Sequence, residues 1–189
     1  AIKRLGELAI ALLVSPLILI VCVLSGLLVK VDSRGPIFFQ QRRVGLDGHL
    51  FSIIKLRTMT HEYTGSSETR FAGVDDRRIT RVGRWLRHYR LDELPQFWNV
   101  IRGDMSLIGP RPEQPSFVNQ FGEVIPFYLV RHTVRPGITG WAQVRYGYAA
   151  SESETRDKLE YDLFYIKHMT LWLDFNILLS TLRTICFAK

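Results

Sequence analysis

Two adjacent carboxylates, Asp92 and Glu93, stand in a strongly basic stretch, with Arg84, Arg87, His88 and Arg90 just before them. Acidic residues beside a helix start commonly act as caps, and arginines on an amphipathic helix usually lie on a solvated face. Two features point beyond that ordinary role. Glycine- and proline-rich segments suited to close backbone approach carry two more arginines, Arg111 and Arg135. The whole set also follows an apolar N-terminal segment able to hold it at a membrane. With 25 Lys and Arg against 18 Asp and Glu, the net charge of +7 suits an anionic partner: nucleic acid, a lipid surface or a phosphorylated substrate.

The elements that must position these residues can be read from patterning. From Leu8 to Val29 the chain carries no charge, long enough for a bilayer-crossing helix. Ser15-Pro16 interrupts its middle, where proline removes one helical hydrogen bond and crowds the preceding turn. Basic residues flank both ends, Lys3 and Arg4 before, Lys30 and Arg34 after, whereas a span normally keeps its positive flank on one side. A helix that enters, breaks and returns to the same face fits both observations, with the Ser15 hydroxyl serving the freed backbone. A kinked span fits the proline as well, and the residues alone leave both open.

Beyond Asp32 the pattern predicts strands over 36–43 and 50–57, joined through Asp47-Gly48 as a hairpin. A polar loop is expected over 61–76. Val82, Trp85, Leu86 and Tyr89 make a helical stripe ending near Arg90, and a second helix is expected to start at Asp92-Glu93 with Pro95 in its first turn. Residues 103–115 form a loop with one short strand. Helices follow over 114–121, 124–132 and 152–168. The last apolar stretch, 171–187, holds Asp174, Asn176 and Arg183, which suits a helix lying in a membrane interface better than one crossing it. Cys22 and Cys186 sit in apolar runs and read as buried free thiols, and the five histidines lack zinc-ligand spacing. The fold class is α+β, mainly helical: a membrane segment (1–31), then a catalytic domain (32–189) with a small antiparallel hairpin and interfacial helices.

The run Arg87-His88-Tyr89-Arg90-Leu91-Asp92-Glu93-Leu94-Pro95-Gln96 resembles the signature of the bacterial sugar transferase family, the monotopic phosphoglycosyltransferases. Matching segments follow the same order: Gly35 to Gln40, Lys55 to Met59, Gly103 to Pro112, Arg135 to Gln143 and Tyr161 to Ile166. The resemblance covers nearly the whole chain. It implies a re-entrant first helix with both ends on the cytoplasmic face of the bacterial inner membrane, Mg²⁺ as cofactor, a UDP-sugar donor and a polyprenyl phosphate acceptor. Larger family members carry further transmembrane helices and another domain ahead of this core. The chain starts at Ala1 rather than Met, which suits the terminal part of a longer protein or a processed form, and the sequence leaves open whether those further segments were removed or never existed.

Under this resemblance Asp92 is the nucleophile that attacks the β-phosphorus of the donor and expels UMP, giving ping-pong kinetics. Glu93, with Asp92, is the Mg²⁺ ligand. Arg87 matches a phosphate-binding position, and its guanidinium fork can grip two phosphate oxygens. Arg111 is a second such candidate, and Arg135, Lys55 and Arg57 are weaker ones. Lys55 and Arg57 read equally well as a basic edge strand facing lipid head groups. Trp141 and Gln143 line the nucleotide pocket or pack the turn after Gly140. Asp162 and Tyr165 fit the family pattern or pack helices. A nucleic-acid binder would explain the charge and not the carboxylate pair, so no nucleic-acid partner is expected. An inactive membrane scaffold is the remaining alternative, and the apolar C-terminal helix leaves a homodimer open.

Overall fold

The computed structural model describes residues 2–60, 76–146 and 152–187. The polar loop expected over 61–76 lies outside them except for Asp76, as does the side chain of Cys186. The fold is mainly helical. Helix α1 spans Ile2–Asp32. Strands β1 (Phe38–Val44) and β2 (Leu50–Leu56) form the expected antiparallel hairpin, Phe38 pairing with Leu56 and Val44 with Leu50. Asp47 at φ 51° and Gly48 at φ 78° close it, a left-handed pair that Asp and Gly tolerate best.

Helix α2 (Arg81–His88), a short 3₁₀ turn (Leu91–Glu93) and helix α3 (Gln96–Arg102) follow. The carboxylates therefore lie in a turn between two helices, with Pro95 as the cap of the second. Strand β3 (Ser106–Ile108) pairs in parallel with β4 (Gly137–Thr139), a second sheet not anticipated from patterning. Helix α4 (Pro115–Val124) comes between them. The helix expected over 124–132 is instead a 3₁₀ segment, Tyr128–Thr133. Pro126 lacks the N–H a helix needs there, and Phe127 sits in the left-handed region at φ 62°. Helices α5 (Trp141–Arg145), α6 (Glu152–Lys167) and α7 (Leu171–Phe187) complete the chain.

Helix α1 is apolar and long enough to cross a bilayer. Most of its side chains have no protein cover, Leu13 being 81% and Leu17 65% exposed. An uncovered apolar cylinder of that length needs a non-aqueous surrounding, and this is a membrane protein. The helix does not stop at Ser15-Pro16: it runs on through both residues. The local defect is still visible. Leu12 O, four residues before Pro16, has lost its amide donor and accepts a 2.8 Å bond from the Ser15 hydroxyl. Cys22 is a free thiol and only half-buried.

Both ends of α1 are fastened to the folded domain. Near the N-terminus, Ala11 is fully buried with Ile53, Val100, Met105 and Ile177. Lys3 Nζ reaches Asp174 (3.0 Å), the Ile108 carbonyl (3.0 Å) and the Tyr165 hydroxyl (2.5 Å). Glu7 accepts from the Ser106 hydroxyl and from Leu107 N. At the other end Val29 packs on Leu56 and Leu86, and Asp32 accepts from Val82 N at 3.0 Å.

Candidate active site

The carboxylate pair is placed by α2, and α2 is placed by a single glycine. A Cβ on Gly83 would lie 2.1 Å from the Thr58 carbonyl oxygen, so only glycine lets the helix rest on the end of β2. Thr80 caps α2 by accepting from Gly83 N, and its own N–H donates to Thr58 O. After His88 the chain reverses at Arg90, a non-glycine residue at φ 57°. That strained turn directs Asp92 and Glu93 inward, each only 8% exposed. Asn99 then ties α3 to β2, accepting from Ile54 N and donating to Ser52 O.

Glu93 Oε1 accepts from Lys55 Nζ at 2.9 Å and from Arg111 at 2.7 Å. Burial raises its pKa, but Arg111 and Lys55 outweigh burial and hold it well below the usual carboxylate range. Asp92 differs. Burial first, then the Glu93 charge, pushes its pKa up to about 6 against the pull of Lys55, Arg87 and Arg111. Its carboxylate takes no hydrogen bond or ion pair from the described residues. Glu93 is thus a fixed anion, and Asp92 is a poised carboxylate open to a reaction partner.

Arg87, one turn before the pair, donates from Nε to Thr58 Oγ1 at 2.8 Å. Arg111 is carried by the loop after β3, which is pinned to both ends of β4 by Gly109 N to Thr139 O and Gly137 N to Pro110 O, both 2.9 Å. A Cβ on Gly109 would meet the Arg135 carbonyl at 2.4 Å, which explains glycine there. Behind this loop Arg131, unmarked in the sequence reading, is 4% exposed and donates to Arg111 O, Asp162 Oδ2 and the Tyr128 hydroxyl.

Asp92, Glu93, Lys55, Arg87 and Arg111 therefore converge, and the other candidates fall elsewhere. Arg57, 2% exposed, clamps the chain after α1 through Arg34 O (2.6 Å) and Ser33 O (2.9 Å), which rules out the lipid-facing edge for it. Arg135 donates to Gly103 O beyond α3. Trp141 stacks on Phe164, with Arg145 over its ring at 4.3 Å. Gln143 donates to Ile138 O and leaves a buried Oε1 without a partner. Asp162 pairs with Arg131 beside a cavity of about 20 Å³, too small for a nucleotide. Tyr165 belongs to the Lys3–Asp174 network. Thr58 was within reach of sequence reasoning, lying in the Lys55 to Met59 segment. Arg131 was missed because the partners that tie it to the site, Arg111 O and Asp162, lie 20 and 31 residues away.

No group of three or more His, Cys, Asp or Glu able to hold a metal exists among the described residues. A two-carboxylate set remains: Asp92, and the Oε2 of Glu93, which takes no bond from the described residues. Such a set suits Mg²⁺, which commonly completes its shell with substrate phosphates and water.

The chain is 50% identical over 184 residues to the UDP-N-acetylgalactosamine-undecaprenyl-phosphate N-acetylgalactosaminephosphotransferase of Aeromonas hydrophila, covering 97% of this chain and 43% of that protein. It is 40% identical over 184 residues to the UDP-glucose:undecaprenyl-phosphate glucose-1-phosphate transferase of Escherichia coli (strain K12), covering 95% and 39%. A shorter relative, the exopolysaccharide production protein PSS of Rhizobium leguminosarum bv. phaseoli, is 34% identical over 181 residues, 93% of this chain and 88% of its own length. The chain spans less than half the length of the first two. The bacterial sugar transferase family model matches residues 1–188, and the chain belongs to that family.

Proposed function

We propose that the chain moves a sugar phosphate from a UDP-sugar to undecaprenyl phosphate, releasing UMP, as a membrane step in assembling a cell-surface polysaccharide. One observation carries the reading: a buried carboxylate with a pKa of about 6, Asp92, whose oxygens take no bond from the described residues, beside a carboxylate locked by two cations. The names of the relatives supply the reaction class. Asp92 forms a bond from a carboxylate oxygen to the β-phosphorus of the donor. The bond from that phosphorus to the bridging oxygen breaks, and UMP leaves with the electron pair. A phosphate oxygen of the lipid acceptor then attacks the same phosphorus, and Asp92 departs as a free carboxylate. A covalent intermediate lets one small site meet a water-soluble donor and a lipid acceptor in turn.

An anionic nucleophile approaching a diphosphate needs positive charge around it. Lys55, Arg87 and Arg111 supply it, the two arginines offering planar forks that match phosphate oxygens in pairs. Asp92 and Glu93 would hold Mg²⁺, which when bound neutralises phosphate charge. Lys55 and Arg111 fix the Glu93 carboxylate so that Asp92 keeps its orientation during the transfer.

A re-entrant α1 is favoured because both its ends dock on one domain, through Lys3 and Glu7 at the start and Asp32 at the end. On this reading the domain lies on one side of the bilayer, which for a UDP-sugar donor is the cytoplasmic face of the inner membrane. Helix α7 buries Asp174 and Ile177 and turns Leu171, Trp172, Phe175, Leu179 and Leu182 outward, an outer face suited to lie in the interface.

Intact mass spectrometry of the solubilised protein with Mg²⁺ and a panel of UDP-sugars tests the reaction. A mass gain of one phosphosugar, absent in Asp92→Asn, is expected and identifies the donor. If no adduct forms and no UMP is released when undecaprenyl phosphate is added, the chain is an inactive scaffold.

A further inference from the structure

Helix α2 has two unlike faces. Gly83 and Leu86 face inward, and Arg81, Arg84, Trp85, His88 and Tyr89 face outward, with Trp85 48% and Tyr89 43% exposed. The outward aromatic rings support one another, Trp85 and Tyr89 meeting edge-on at 5.4 Å and His88 and Tyr89 at 4.7 Å. Helix α2 contains no acidic residue. Its first turn is tied to the last residue of α1 by the bond from Val82 N to Asp32 Oδ2. Leu86 packs on Val29, one turn before the end of the membrane helix. The outward face therefore begins where the apolar helix ends.

From this arrangement we infer that the Arg81–Arg84–Trp85–His88–Tyr89 face of α2 is a docking surface for anionic phospholipid head groups. Tryptophan and tyrosine favour the head-group level, where an apolar ring meets a wet rim. Basic residues beside them are drawn to the negative surface potential of a leaflet that carries anionic lipid, each contributing about fivefold in lipid preference. Continuity with α1 fixes the depth of the face, and its charge selects the lipid. The inference does not depend on the reaction proposed above.

The full chain is reconstituted in nanodiscs of phosphatidylcholine that carry a head-group-proximal doxyl quencher on either phosphatidylglycerol or phosphatidylcholine at equal mole fraction. The Trp85 signal is the difference between the wild type and Trp85→Phe. Phosphatidylglycerol-borne quencher is expected to act severalfold more strongly. The preference should vanish in the Arg81→Gln/Arg84→Gln double variant, survive in Arg81→Lys/Arg84→Lys, and shrink as salt is raised. Equal quenching by both lipids would overturn the proposal, since the rings would then sit in the interface without selecting charge. Absence of quenching by either would overturn it too, placing the face in water or against a second copy of the chain.

Discussion

Replacing Gly83 by alanine separates two effects that usually run together. In an exposed helix the change gains about 1 kcal/mol from helix propensity. Here the new Cβ would sit 2.1 Å from Thr58 O and 2.8 Å from Thr58 C and Cα, all backbone atoms, while real Cβ contacts keep at least 3.0 Å. Helix α2 must therefore shift by close to 1 Å. Overpacking of this kind costs about 1–3 kcal/mol, so the net loss after the propensity gain is about 0–2 kcal/mol. At 2–4 °C per kcal/mol for a chain of this size, the Tm falls by no more than about 8 °C. Activity suffers far more. The shift breaks the 2.8 Å bond from Arg87 to Thr58 and moves the turn carrying Asp92, and a 1 Å misplacement costs on the order of 10²-fold in rate. Thermal unfolding and UMP release, measured on the same preparation, check both numbers. Gly6→Ala is the internal control, because no atom lies within 4 Å of its Cβ position. A Gly83→Ala protein with wild-type turnover and a raised Tm would refute the argument that glycine sets the position of α2.

Three further outcomes follow from other contacts. Asp92 has its folded pKa raised from 3.8 to about 6, so it lends stability below pH 4 that disappears as pH rises through 6. In chelator-treated protein, stability should fall by about 3 kcal/mol across that window, Asp92→Asn should lack the fall, and kcat/KM should decline about tenfold per unit below pH 6. Arg57→Met should lower stability by about 2–4 kcal/mol by abandoning the Ser33 and Arg34 carbonyls, with KM for the donor unchanged in the surviving fold. Asp162→Asn leaves the Arg131 guanidinium buried without its counter-charge, 2.8 Å away in the wild type, and should cost about 3–5 kcal/mol by denaturant unfolding.

Features set by neighbours in the chain were legible in the sequence. The hairpin could be read because Asp47-Gly48 is a local turn signal, and the carboxylate pair because its residues are contiguous, although the helix expected to start there begins only at Gln96. The helix expected over 124–132 failed because its apolar spacing outweighed Pro126 in the reading, whereas the missing N–H decided the backbone. Strand β4 escaped notice because three residues that include Gly137 carry no alternation to detect. Contacts across the fold were beyond reach. Lys3 looked like a membrane flank, and only folding brings Asp174 to it across the whole chain. Arg57 looked like a phosphate ligand until the backbone after α1 took up its donors.

The two oxygens of Glu93 are not equivalent, since both cations converge on Oε1. A glutamine at this position would have a forced orientation. Its carbonyl oxygen must face Lys55 and Arg111, because the amide nitrogen there would set donors against donors. The NH₂ group is then presented on the opposite side, where a carboxylate oxygen had stood. A near-isosteric Glu93→Gln swap thus keeps an acceptor toward Lys55 and Arg111 while removing their counter-charge, and inverts the polarity of one outward point, so that a cation arriving there meets a donor. The asymmetry turns a substitution usually regarded as mild into a directional probe of what approaches the site.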